Sequence, residues 1–152
     1  MPEYLETTVD KFTFRVAKDR FYTPEGVWVG AREPGGSLNV RLGVTDYFQQ
    51  HNGDVAFVTV KPPGTNLDSG NEFAEIESMK VTLELPSPVT GTIVEVNKAL
   101  ETNPELVNQY PYGQGWLALI EPMAWETDRA KLLDADAYLV IVRSQAEEEL
   151  KS

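Results

Sequence analysis

The sequence predicts a mainly β domain, a small sandwich or barrel, followed by helices at its C-terminal end. Three observations lead there. Short alternating or β-branched runs recur from Phe12 to Glu121, separated by Pro- and Gly-containing turns. From Glu126 the pattern changes to longer helical groupings. The chain has 152 residues, 41% hydrophobic and 24% charged, enough for one domain with a real core. Many short strands first and helices last is the order expected of a small β-sandwich or barrel with C-terminal helices.

The elements follow in chain order. Residues 1–17 read as an N-terminal extension with one alternating strand, Phe12 to Val16. Val27-Trp28-Val29 and Leu38 to Leu42, separated by Pro34-Gly35-Gly36, read as a hairpin. Thr45 or Asp46 caps a short helix through Gln50, which Asn52-Gly53 stops. Asp54 to Val60 is a strand ended by Pro62-Pro63-Gly64. Three more strands are expected over Phe73 to Glu77, Val81 to Leu85 and Thr92 to Val96, punctuated by Ser87-Pro88 and Thr90-Gly91. Pro104 to Asn108 reads as one helical turn and Trp116 to Glu121 as a last strand, ended by Pro122. Glu126 to Leu133 and Ala135 to Leu150 read as helices. Val55–Val60 and Ile93–Val96 form a faint internal repeat.

Composition excludes several chemistries. There is no cysteine, so disulfides, thiolate catalysis and Cys-ligated metals are out. The single histidine, His51, falls at a helix end and reads as a cap, so no nucleophile–base pair or zinc site is expected. Net charge is −11, from 24 acidic and 13 basic residues, which speaks against nucleic acid and suits docking on basic protein surfaces. No apolar run nears the ~18–20 residues that cross a bilayer. Met1 to Glu6 is acidic and not signal-like, so the expected compartment is cytoplasmic. Redox or sulfur chemistry would need a group from outside the twenty side chains.

The informative segment runs from Glu75 to Gly91, where two strand-like stretches meet at Ser78-Met79-Lys80. A lysine at a tight β-turn is exposed on a rigid base, open to acylation; on position alone an ordinary surface lysine is the favoured reading. Around it, Lys18 to Thr23, Leu42-Gly43-Val44-Thr45-Asp46-Tyr47, Gly53 to Val58, Glu77-Ser78-Met79-Lys80, Val94 to Leu100, Asn103 to Asn108, Pro111-Tyr112-Gly113-Gln114-Gly115-Trp116 and Leu132 to Tyr138 occur in order. In these blocks the chain resembles the glycine cleavage H-protein family over residues 18–142, and several ordered blocks are far more specific than one. The resemblance implies a lipoyl/biotinyl-type β-sandwich (hybrid barrel) with short helices and C-terminal helices, the lipoyl domain spanning 18–142 and a helical tail 143–152. It further implies lipoate joined by an amide to Lys80, with Glu77, Ser78 and Met79 as its flanking motif, and a carrier rather than an enzyme. Tyr112, Gly113, Gly115 and Trp116 are expected to supply a turn and a buried ring. A biotinyl turn, usually Ala-Met-Lys-Met, is the remote alternative.

The family shelters an aminomethyl ammonium beside carboxylates, one of them in a His-Glu-Trp stretch that here reads Gly26-Val27-Trp28, with Glu25 before it. Beyond the lysine, Leu83 and Pro86 replace a serine and a tyrosine, while Glu84 keeps a carboxylate. Glu25, Val27, Leu83 and Glu84 are thus the candidate lining of an arm cleft. The more apolar lining favours an H-like lipoate-binding protein of sulfur oxidation, served by a heterodisulfide-reductase-like complex. The alternative is a true H-protein, carrying the aminomethyl group from glycine decarboxylase to aminomethyltransferase. Either role implies a lipoate ligase or lipoyl transferase and dihydrolipoamide dehydrogenase as partners. Glu72, Glu75, Glu77 and Glu84 around the tip are expected to orient the carrier on them.

Overall fold

The computed structural model describes residues 3–30 and 39–151. Eleven strands and four α-helices are present among them: β1 (Tyr4–Val9), β2 (Phe12–Ala17), β3 (Arg20–Tyr22), β4 (Val27–Gly30), β5 (Val40–Val44), α1 (Asp46–Asn52), β6 (Val55–Val60), β7 (Asn66–Leu67), β8 (Glu72–Ser78), β9 (Thr82–Pro86), β10 (Gly91–Val96), α2 (Leu106–Gln109), β11 (Ala118–Pro122), α3 (Trp125–Arg129) and α4 (Ala135–Lys151). A 3-10 turn covers Lys98–Glu101.

Six strands form one sheet in the order β3-β4-β5-β11-β10-β7, and three form another in the order β6-β8-β9. The two sheets enclose one apolar core: Val29, Leu42, Ile93 and Ile120 from the larger meet Val55, Ala74, Ile76 and Leu85 from the smaller. Strands with apolar residues at alternate positions bury one face each, which makes a mainly β sandwich from short segments. The expected β4–β5 pairing is present, with Val27 opposite Val44 and Val29 opposite Leu42; its Pro34-Gly35-Gly36 turn and Leu38 lie outside the described residues. The two stretches of the faint repeat sit in different sheets, as β6 and β10.

The N-terminal segment differs from expectation. It is a full hairpin, β1 pairing antiparallel with β2 from Tyr4–Ala17 to Val9–Phe12. Its two-residue loop starts at Asp10, which adopts φ 57°, a left-handed conformation that Asp tolerates. β1 escaped the sequence reading because Thr7, a polar residue, occupies a buried position between Leu5 and Val9. Its hydroxyl is within 2.9 Å of Arg143 Nη1 on α4, so the site is polar and satisfied.

This hairpin builds a second core. Val9, Phe14, Val16 and Ala17 pack with Tyr138, Val142 and Ala146 of α4 and with Tyr22, Trp28, Tyr47 and Tyr112. Tyr22 stacks on Tyr138 at 4.6 Å, and Phe14 meets Tyr47 edge-on at 5.2 Å. The buried phenols find partners: Tyr22 donates to Ala17 O, Tyr112 to Arg15 O, and Tyr138 shares a 2.7 Å bond with Thr45 Oγ1. Burial pushes Tyr22, Tyr112 and Tyr138 above the ordinary phenol range.

The expected helix from Glu126 to Leu133 is cut short. α3 ends at Arg129, and Leu133 instead exchanges both backbone hydrogen bonds with Tyr22, at 2.8 Å each. A two-bond bridge that ties the C-terminal region to β3 outweighs one more helical turn. α4 is a single uninterrupted helix that crosses the position where the tail was expected to begin. Among the described residues, no helix is long and apolar enough to cross a membrane.

Candidate functional site

The site is assembled from the α1–β6 junction and the β8–β9 turn. Thr45 caps α1 by accepting from Phe48 N at 3.1 Å. Gly53 ends it with φ 82°, a conformation suited to glycine. Asn108 braces the exit: its amide donates to Gly53 O and Gln49 Oε1, and its oxygen accepts from Val55 N.

The β8–β9 turn lies beside this junction. Ser78 N donates to Val81 O at 2.8 Å, closing a loop with Met79 and Lys80 at its tip. Ser78 Oγ accepts from the backbone N–H of both Lys80 and Val81 at 3.1 Å. The buried serine thus replaces water for two turn amides. Met79 N bonds to Asp54 O, which fastens the tip to the start of β6. Lys80 is exposed, its stem lying across Gly53, where an added Cβ would come 3.3 Å from Lys80 Cδ. Its amine donates to His51 O at 3.0 Å, at the negative end of α1.

From His51 opens a cleft of about 550 Å³, lined by Pro24, Glu25, Tyr47, Phe48, Asn52 and Leu83 and, from α4, by Tyr138, Ser144, Gln145, Glu148 and Glu149. Its floor is apolar and its rim carries three carboxylates. The size lies within the range of small-molecule sites. Glu149 ties the two walls together: it accepts from His51 Nδ1 at 2.6 Å and from the Tyr47 hydroxyl. Burial and the facing Glu149 carboxylate push the Tyr47 phenol above its ordinary range.

The structure therefore brings Lys80, Ser78, Glu25 and Leu83 to one region. Val27 is fully buried in the sandwich core and is not part of the cleft lining. Glu84 is exposed on β9 opposite Glu75, and its carboxylate clusters with those of Glu72 and Glu75 within 4.8 Å. Glu77 is exposed on β8. Of the expected structural ring residues, Tyr112 is buried, whereas Trp116 is half-buried beneath the Arg41 guanidinium at 4.5 Å. Gly115 is indispensable to its turn, since a Cβ there would meet Leu106 O at 2.4 Å. Sequence reasoning placed Gly53 as the helix stop and His51 at the helix end but missed that both meet Lys80, and it missed the bracing role of Asn108 and the part of Glu149; Asn108 had a signal as the end of the Asn103–Asn108 block, Glu149 none.

The glycine cleavage H-protein profile matches residues 20–145. The chain belongs to the glycine cleavage H-protein family. Two curated relatives are glycine cleavage system H proteins. One, from Thermus thermophilus, is 43% identical over 131 residues, covering 86% of this chain and 98% of the relative. The other, from Mycolicibacterium smegmatis, is 43% identical over 129 residues, covering 84% and 96%. The crystal structure of the Mycobacterium marinum H protein superposes with a TM-score of 0.70 at 35% identity, covering 80% of this chain and 94% of that one. H-proteins are carriers, not enzymes, and bear lipoate covalently on a lysine. The residues present suit such a group: an exposed amine on a rigid turn, beside a cleft with an apolar floor. The β1–β2 hairpin and the last turns of α4 lie outside the matched stretch of the H-protein family.

Proposed function

We propose that Lys80 is the lipoyl attachment site and that this H-protein carries an aminomethyl group from glycine decarboxylase to aminomethyltransferase. One observation carries the proposal: the amine of Lys80 stands on a clamped turn and donates to the carbonyl of His51, a residue that lines a cleft with an apolar floor and a carboxylate rim.

Ser78 and Asp54 fix the turn, so an acylating enzyme meets the amine at a constant position. Gly53 leaves room for the lysine stem. When bound, lipoate supplies a ring disulfide that opens to a thiol and a cargo-bearing sulfur. The protein supplies tether, shelter and charge. Tethering raises the local concentration of cargo at each docked partner. Phe48 and Leu83 exclude water from the floor, while Glu25, Glu148 and Glu149 place negative charge around it. A primary ammonium leaving bulk water needs such partners. The names of the curated relatives support the same cargo.

The second reading is the sulfur-oxidation carrier of a heterodisulfide-reductase-like complex. Its support is Val27, an apolar core residue where the family resemblance implies a carboxylate. The carboxylates that Glu25 and α4 bring to the cleft favour the ammonium cargo instead.

The test has two stages. After incubation with a lipoate ligase, intact mass should show a lipoyl increment in the wild type and none in Lys80→Arg; an increment retained in Lys80→Arg refutes the attachment site. The lipoylated protein, given glycine and the decarboxylase, should then drive exchange of labelled bicarbonate into glycine. No exchange would leave the sulfur reading in its place.

A further inference from the structure

Three contacts converge on the last turn of α1. Lys80 Nζ donates to His51 O at 3.0 Å. The imidazole of His51 stacks on Tyr47 at 5.5 Å with an interplanar angle of 16°. Its Nδ1 is bonded to Glu149 Oε1, which also accepts from the Tyr47 hydroxyl. Glu149 lies on the terminal turns of α4, beyond residue 145 where the family match ends.

Acylation changes what Lys80 brings to this junction. A lysine ammonium has three N–H donors; a secondary amide retains one and loses the charge. A backbone carbonyl accepts from either. The direction of the Lys80–His51 contact therefore survives modification even though its charge assistance does not. The stem is already directed there by Gly53, whose missing side chain opens the path.

Resting on the assignment of Lys80 as the acylated residue, we infer that the backbone carbonyl of His51 docks the amide N–H at the root of the arm, and that Glu149 is the positioning residue that holds this carbonyl in place by pinning the His51 ring. Residues His51, Asn52 and Leu83 belong to the cleft lining, so a root docked on His51 lies beside the cleft. The end of α4 thus governs how the arm leaves the protein surface, although it never touches the arm's attachment atom.

The experiment uses the full chain, labelled with 15N-lysine and lipoylated enzymatically. Hydrogen–deuterium exchange of the single Nζ–H of lipoyl-Lys80 is compared with that of free Nε-lipoyl-lysine. A retained hydrogen bond at an exposed site should slow exchange roughly five- to tenfold. Glu149→Ala should bring the rate back toward that of the free compound, Glu149→Gln should keep part of the protection through its remaining acceptor oxygen, and Tyr47→Phe should give an intermediate loss. Backbone amides of β8 and β11 should exchange at unchanged rates, which a general loss of stability would not permit. Wild-type Nζ–H exchange as fast as in the free compound overturns the inference, and so does protection that is indifferent to Glu149→Ala. Absence of the lipoyl mass increment sinks both the attachment site and this inference. An increment with an unprotected Nζ–H sinks the inference alone.

Discussion

At the scale of the residue, the lysine is only as useful as the serine two positions before it. Ser78 is buried, and its hydroxyl accepts two turn amides and lies 3.2 Å from Val81 O as donor. Ser78→Ala should cost about 1–2 kcal/mol, the price of leaving turn amides without a partner. Urea denaturation measures that loss. Lipoylation of Lys80 should slow as well, because the amine samples more positions; an unchanged rate with the stability loss would mean that the turn's rigidity is irrelevant to the ligase. The motif residues Glu77, Ser78, Met79 and Lys80 were legible in the sequence because they are contiguous. The roles of Gly53, Asn108 and Glu149 were not, since each acts on Lys80 across 27 or more positions of chain, by contacts no local pattern encodes.

Among the elements, β1–β2 and α4 behave as one unit. The hairpin buries Phe14, Val16 and Ala17 against α4 and the tyrosines, and Arg15 N bonds to Asp46 at the start of α1. Phe14→Ala removes a ring that is 6% exposed and should destabilise the protein by about 3 kcal/mol through lost burial and a residual cavity. The denaturant midpoint reports this directly. A loss under about 1 kcal/mol would mark the hairpin as a loose appendage. Local alternation revealed β2, whereas β1 was hidden by Thr7, and the α3 boundary was hidden because the Tyr22–Leu133 bridge that ends it is a tertiary contact.

For the whole molecule, the phenol cluster and the net charge set its response to solution conditions. Tyr22, Tyr47, Tyr112 and Tyr138 all have phenols pushed above the ordinary value of about 10, chiefly by burial. The folded state holds these protons longer than the unfolded state. Their contribution to stability is therefore complete below about pH 10 and falls as pH rises toward the elevated folded values. Stability measured in urea should decline steeply above that pH, and the share of tyrosinate absorbance that belongs to these four phenols, beyond that of the exposed Tyr4 and Tyr110, should appear together with unfolding rather than before it. The carboxylates along the β8–β9 hairpin, Glu77 next to the tip and Glu84 with Glu72 and Glu75 farther down the strands, act at longer range. Glu77→Lys with Glu84→Lys should slow lipoylation about tenfold at low salt, with the difference fading near 1 M, where the screening length falls to about 3 Å. Equal rates at low salt would assign these carboxylates to solubility alone.

The sequence by itself determined the family, the mainly β architecture and the lysine at the turn. Each of these is written in contiguous residues whose spacing and chemistry need no partner: alternating strands, capping residues, the Glu77–Lys80 motif. The tertiary structure decided what surrounds that lysine. Val27, a cleft candidate by alignment, faces the core, while Glu148 and Glu149, remote in sequence, line the cleft. A side chain's surroundings depend on which elements pack against it, and packing joins residues by volume and charge in space rather than by order along the chain.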